Sequence, residues 1–223
     1  MTAVAIPADR LYGRLLAQAA ARLAVGGVPV ASGVRRDDGR LAPLPLARWV
    51  APADAVDVAV LARAEDPVLD IGCGPGRHVA ALRLTGRRAL GLDLSPIAVG
   101  MTRFRGAEAV LGNVFEDVPG AGTYRAALLL DGNVGIGGAP DALLRRAREL
   151  LAPGGAVIAE LEAPGARSER SRVRLEGEGA VSDWFSWAQV GVDDAAAMAE
   201  DAHMRLDWTL HAGGRWFAAM VRP

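Results

Sequence analysis

The densest chemistry in the chain lies in nine residues, Val68-Leu-Asp-Ile-Gly-Cys-Gly-Pro-Gly76. Asp70 stands two residues ahead of Gly72, and Gly74 and Gly76 follow at the same spacing. Glycines so placed let a backbone turn sharply and approach a ligand that side chains would hold off. A second carboxylate, Asp93, ends the apolar run Arg88-Ala-Leu-Gly-Leu92, where it can accept hydrogen bonds from both ribose hydroxyls of a nucleoside. Asn113 follows Ala109-Val-Leu111, so an amide is available to an adenine edge. The chemistry these residues suit is the grip of a nucleoside-type ligand across the ends of several strands.

Such a grip needs strands and helices in alternation. Val68, Leu69 and Ile71 form the short apolar run of a strand buried on both faces. Arg77 to Thr85 has helical spacing in Val79, Ala80 and Leu82, with Gly86 at the position of a left-handed cap. Further strands are predicted to Leu92, over Glu108 to Leu111, Arg125 to Leu130 and Ala156 to Leu161. Helices alternate with them: one is capped by Ser95-Pro96 and runs to about Arg105, and another spans Asp141 to Leu151 with Leu143, Leu144, Ala147 and Leu150 on one face. This order implies parallel pairing with right-handed crossovers.

A glycine loop alone does not separate a dinucleotide such as NAD from S-adenosylmethionine. Asp70 at the loop entrance suits a cationic amino-acid head and repels a pyrophosphate, and Pro75 removes an N–H that a phosphate cradle would use. With Leu92-Asp-Leu-Ser95, Gly112-Asn-Val114, Leu128-Leu-Leu-Asp131 and Ala152-Pro-Gly-Gly155 in this order, the chain resembles the class I S-adenosylmethionine-dependent methyltransferases over roughly residues 52 to 161. Asn113 departs from the aspartate of many relatives. The resemblance implies an α/β fold: a Rossmann-like sheet, mostly parallel with a C-terminal antiparallel hairpin, and helices on both faces. It implies that Asp70, Gly72, Cys73, Gly74 and Gly76 cradle the amino-acid part of S-adenosylmethionine, that Asp93 holds the ribose, and that Leu94, Asn113 and Val114 frame the adenine. Asp131 would line the methyl-transfer site, with S-adenosylhomocysteine as product.

The 223 residues suit one α/β domain, and the net charge is −1. There is no lysine, and the arginines form no run that would track a phosphate backbone, which argues against nucleic acid. The Asp or Asn with two prolines and an aromatic found in base-methylating relatives is replaced by Asp131-Gly132-Asn133, so the resemblance favours a small-molecule acceptor. Cys73 is the single cysteine, which excludes an internal disulfide. Met1 to Arg10 does not read as a signal peptide, and Gln18 and Arg22 interrupt the longest apolar candidate for a membrane span. The expectation is a cytoplasmic protein with no membrane partner and an oligomeric state left open.

Residues 1–51 are predicted as an N-terminal helix, Asp9 to Ala24, and an irregular connector or loose hairpin over Gly26 to Pro45. The helix either packs on the sheet or closes over the cofactor, with Tyr12 as a contact. Residues 52–223 form the methyltransferase domain, opened by a helix over Pro52 to Ala64 with Pro52 in its first turn. A strand pair at about 168–190 is read as an insertion beside the ligand-facing loops, followed by a helix over Asp193 to Met204 and a hairpin turning at Gly213-Gly214.

Methyl transfer from a sulfonium depends chiefly on alignment. If the acceptor loses a proton, Asp131 is the best-placed group, with His78, His203, His211, Glu160 and Glu162 as rivals and Asn133 limited to hydrogen bonding. Tyr12, Trp49, Trp184 and Trp187 are acceptor-site candidates; Trp184 and Trp187 have odd spacing, so one packs and one walls the pocket. Glu160 and Glu162 do not make a tight enough oxygen cluster for a metal. Two other readings stay open: an NAD-dependent Rossmann oxidoreductase, and a non-catalytic methyltransferase-like binding protein.

Overall fold

The computed structural model describes residues 5–223. Residues 1–4, part of the stretch read as lacking a signal sequence, lie outside it. Strands are β1 (Ala5–Ile6), β2 (Ser32–Arg36), β3 (Leu41–Pro43), β4 (Val68–Ile71), β5 (Ala89–Asp93), β6 (Ala109–Leu111), β7 (Tyr124–Leu129), β8 (Leu151–Leu161), β9 (Glu169–Gly177), β10 (Ala180–Ser182), β11 (Phe185–Gln189), β12 (Arg205–Ala212) and β13 (Arg215–Val221). Helices are α1 (Ala8–Ala24), α2 (Leu46–Val50), α3 (Ala55–Leu61), α4 (Arg77–Leu84), α5 (Pro96–Phe104), α6 (Pro140–Leu150) and α7 (Ala195–Asp201).

The larger sheet has the order β12-β13-β8-β7-β4-β5-β6. Its strands from β8 to β6 are parallel, and β13 and β12 close one side as the antiparallel hairpin expected from the sequence. Alternation along β7 shows why the sheet is covered on both faces. Ala127 and Leu129 join the core under α6 and α7 with Leu143, Leu144 and Ala199. Ala126 and Leu128 join the opposite core with Val60, Leu61 and Leu82 of α3 and α4. No helix among the described residues is long and apolar enough to cross a membrane.

The stretch 26–45 contains the hairpin β2 and β3, and this hairpin is not loose. It pairs with β9, so the N-terminal segment and the inserted strands share a second sheet, ordered β1-β10-β9-β2-β3, with β11 also paired to β9 along Glu169–Val173. Helix α1 packs through Leu11, Leu15, Leu16 and Ala19, all fully buried with Leu46, Ala98 and Leu175. The helix expected over 52–64 is shorter, α3 alone, and a separate short helix, α2, ends before Pro52. Ala51 is extended ahead of Pro52, as prolines demand of the preceding residue, and α3 starts only after a reciprocal cap between Asp54 and Asp57. The late helix is likewise shorter than expected, because a 3₁₀ turn over Val192–Asp194 precedes α7.

Candidate functional site

Strand β4 delivers the chain to a loop in which Gly72, Gly74 and Gly76 all have positive φ, at 71°, 54° and 78°. Side chains would be strained there. A Cβ on Gly74 would lie 2.8 Å from the Tyr12 hydroxyl, and one on Gly72 would lie 2.7 Å from Asn133 Nδ2. The loop is locked by Asp93: Oδ2 accepts the Gly74 N–H and Oδ1 the Ser95 N–H, each at 2.8 Å. Burial raises the Asp93 pKa, partly offset by those two N–H donors. Asn133 Nδ2 donates to the Ile71 and Gly72 carbonyls, both at 2.9 Å, and so ties the loop after β7 to the glycine loop.

Beside this loop, between the two sheets, lies a cavity of about 1180 Å³. Gly72, Cys73, Gly74, Asp93, Leu94, Asn113 and Val114 line one end, and Tyr12, Trp49, Asp131 and Trp187 line it as well. Tyr12 and Trp49 meet edge to face with ring centroids 6.0 Å apart. Burial, followed by the Asp93 charge, lifts the Tyr12 hydroxyl well above its ordinary pKa, and burial with Asp70 nearby does the same to the Cys73 thiol. Both are therefore neutral over the physiological range.

Several placements differ from those expected. Asp70 does not open onto the cavity: it is 1% exposed, and its Oδ2 lies 3.5 Å from His78 Nδ1, because the helix that follows the glycines turns the imidazole back beneath β4. His78 is not a base facing an acceptor; it lies between Asp70 and Asp57, whose Oδ1 is 3.6 Å from Nε2. Burial disfavours its charged form, yet the two carboxylates prevail and raise its pKa to about 9. Trp184 is outside the cavity, partly exposed under the Arg174 guanidinium at 5.1 Å, since the chain between β10 and β11 carries it to the outer side. Trp187 is the member of the pair that walls the cavity. The Asn113 amide is engaged in its own turn, accepting from Phe115 N–H at 3.1 Å and donating to Glu116 at 3.4 Å. It stays on the cavity lining with one amide N–H not used in that turn. His203 and His211 do not line the cavity.

Asp131 follows β7 with φ at 56°, a costly conformation for a residue with a side chain. It is held there by charge. Its oxygens accept from Arg77 Nη2 at 2.9 and 2.8 Å, Arg48 Nη2 lies 3.0 Å away, and its N–H donates to Glu160 Oε2 at 2.8 Å. Glu160 takes a bidentate contact from Arg215 at 2.8 and 2.7 Å, and Arg215 also reaches Asp57 at 2.7 Å. Arg77 closes the circuit on Asp57, which is fully buried. Burial opposes the Asp57 charge, but His78 and Arg215 outweigh it and hold the carboxyl well below the usual range. Four acids (Asp57, Asp70, Asp131, Glu160) thus face four cations (Arg48, Arg77, Arg215, His78) beneath the loop.

Sequence reasoning missed most of this circuit. Asp57 and Arg215 are 158 positions apart, and neither belongs to a motif. Arg77 had one available signal, its place directly after the third glycine. Among the described residues no group of three His, Cys, Asp or Glu is arranged to hold a metal.

Residues 68–155 match a family model described as a methyltransferase domain. No curated protein sequence matches the chain. Among solved structures, a Bacteroides fragilis SAM-dependent methyltransferase in complex with S-adenosyl-L-homocysteine superposes with TM-score 0.79 at 22% identity, covering 99% of both chains. A Burkholderia thailandensis 1,6-didemethyltoxoflavin-N1-methyltransferase reaches TM-score 0.55 at 18% identity over 75% of this chain and 78% of its own. CalS10, an amino pentose methyltransferase from Micromonospora echinaspora, reaches 0.53 at 20% over 75% and 89%.

Proposed function

We propose that this chain, which carries a methyltransferase domain of class I fold, binds S-adenosylmethionine across β4, β5 and β6 and transfers its methyl group to a small-molecule acceptor. The observation that carries the reading is the Asp93 lock on three left-handed glycines at the edge of a cavity large enough for two ligands. When bound, the sulfonium supplies a methyl carbon that a nucleophile displaces in line, leaving the electron pair of the broken C–S bond on sulfur.

The protein's part is positional. Gly72 and Gly74 bring bare backbone to the cavity wall between Asn133 and Tyr12, Gly76 lies off the cavity against Thr102, and Asp93, already fixed by two N–H donors, presents its remaining lone pairs to ribose hydroxyls. Leu94 and Val114 give apolar surface to a base ring. Asp131 has the role of a positioning residue, because both of its oxygens are taken by guanidinium donors. With Asp70 turned to His78, its repulsion of a pyrophosphate no longer argues against a dinucleotide; Pro75 still does. The small-molecule assignment is supported by a cavity bounded by two sheets and by acceptors of that kind in the names of two structural neighbours.

Calorimetric titration tests the reading. S-adenosylhomocysteine should bind in the micromolar range and NAD should not, and Asp93→Ala should weaken the nucleoside by about 10-fold or more, as expected for lost hydrogen bonds to a charged group. Binding of NAD alone would overturn it.

A further inference from the structure

At about 1180 Å³ the cavity exceeds the roughly 300–1,000 Å³ of a site for one drug-sized ligand, so a nucleoside beside the glycine loop leaves space toward the second sheet. The walls there are Val34 of β2, Val173 and Leu175 of β9, and Phe185 and Trp187 of β11. The two aromatic rings meet edge to face with centroids 6.1 Å apart. Such walls favour a bulky apolar or aromatic body.

The charges on the lining decide what else that body carries. Each lining guanidinium already has an acid: Arg36 has Glu169 at 2.6 Å, Arg40 has Asp38 at 2.6 Å, and Arg77 has Asp131 at 2.8 Å. An anionic guest would have to break one of these pairs. The lining acids are less evenly matched. Asp131 and Glu160 are bound by Arg77 and Arg215, and Asp93 by backbone N–H groups. Glu162 and Asp9 have no cationic group within 4 Å among the described residues. Asp9 sits in the first turn of α1, where the helix N-terminus complements it. Glu162, exposed at the rim of the cavity, has only water and the Gln189 amide.

Glu162 is also fixed in place. Its N–H donates to the Val190 carbonyl at 2.8 Å and its carbonyl accepts the Val192 N–H at 3.0 Å, clamping the chain just past β8. Gln189 Nε2 donates to its Oε1 at 3.2 Å, while Gln189 Oε1 is taken by Arg36, which sets the amide with its NH₂ toward Glu162. One carboxylate oxygen is thereby oriented and the other left to a guest.

We infer that the acceptor half of this cavity selects an apolar or aromatic molecule bearing a protonated amine, and that Glu162 is the residue that recognises the amine. The word acceptor rests on the methyl-transfer reading; the charge selection does not, and it is measured separately. Calorimetry with three probes of one shape, 2-naphthylmethylamine, 2-naphthalenemethanol and 2-naphthoate, would be run on the free protein and on the protein saturated with S-adenosylhomocysteine. The amine should bind about 10-fold tighter than the alcohol, the scale of one charge-assisted hydrogen bond, and the acid weakest. Glu162→Gln should remove the amine's advantage and leave the alcohol's affinity within about twofold, with an unchanged melting temperature showing that the variant of this exposed residue still folds. Equal affinity for amine and alcohol, an amine preference that survives Glu162→Gln, or no binding of the amine at millimolar concentration would each overturn the inference. Loss of S-adenosylhomocysteine binding with the amine preference intact would instead overturn the methyl-transfer reading alone.

Discussion

The two walls of the cavity are built on different physical principles. Under the glycine loop, polar groups are buried and satisfy one another: Asp57 has no exposed surface, Arg77 is 3% exposed, and the circuit of four acids and four cations is electrically balanced. Across the cavity, the second sheet presents apolar and aromatic side chains, and its ion pairs, such as Arg40 with Asp38 and Arg35 with Glu176, lie at or near the solvent. Removing one member of a buried circuit leaves charges stranded in low dielectric, whereas trimming an apolar wall or an exposed pair costs only local contacts. The side that would hold the cofactor is thus rigid by mutual dependence, and the side that would meet the acceptor can change one residue at a time.

The largest effect should follow from breaking the circuit at its centre. Asp57→Ala takes one buried partner from each of Arg77, Arg215 and His78, leaves the circuit one negative charge short, and should destabilise the fold by about 3–5 kcal/mol, read as a fall in the urea midpoint. A milder break is available through pH. His78 is raised from about 6.5 to about 9, so its contribution is complete below pH 6.5, declines between 6.5 and 9, and is absent above 9. Stability should therefore fall by on the order of 3 kcal/mol across that window, and His78→Gln should flatten this part of the pH profile. If the slope persists in the variant, the imidazolium is not its source.

Gly74→Ala probes the junction of the two walls. The added Cβ meets both a φ of 54° and the Tyr12 hydroxyl at 2.8 Å, and about 1–2 kcal/mol of destabilisation with weaker S-adenosylhomocysteine binding is expected. Tyr12→Phe in the same background should recover the steric part only. On the second sheet, Trp187→Ala should leave nucleoside affinity unchanged while lowering affinity for the naphthyl probes by about 10-fold, since it removes an aromatic wall without touching the loop. The smallest change is expected for Arg40→Ala, within about 0.5 kcal/mol in thermal melts, because the side chain is 61% exposed.

What was legible along the chain was whatever depends on neighbours in sequence. The three glycines, the Ser95-Pro96 start of α5 and the apolar face of α6 announce themselves because turns, caps and helix faces are set within a few residues. The Pro52 helix misled because a proline fits both a first turn and a break, and only the Asp54–Asp57 cap decides between them. Asp70 misled for a different reason. A carboxylate at a strand end near a ligand loop has two directions open to it, and the position of a buried imidazole selected one.

The alternation of strands and helices, the glycine loop and Asp93 at the end of β5 were therefore properties of local pattern, and they suffice for the parallel sheet and the edge that carries the glycine loop. The second sheet, the balanced circuit beneath the loop and the lone carboxylate of Glu162 were decided only by tertiary packing. Pairing of β2 with β9 and of Arg215 with Asp57 joins segments more than a hundred residues apart. Such pairings carry no periodicity, because the free energy that selects them comes from burial and charge satisfaction in the finished fold.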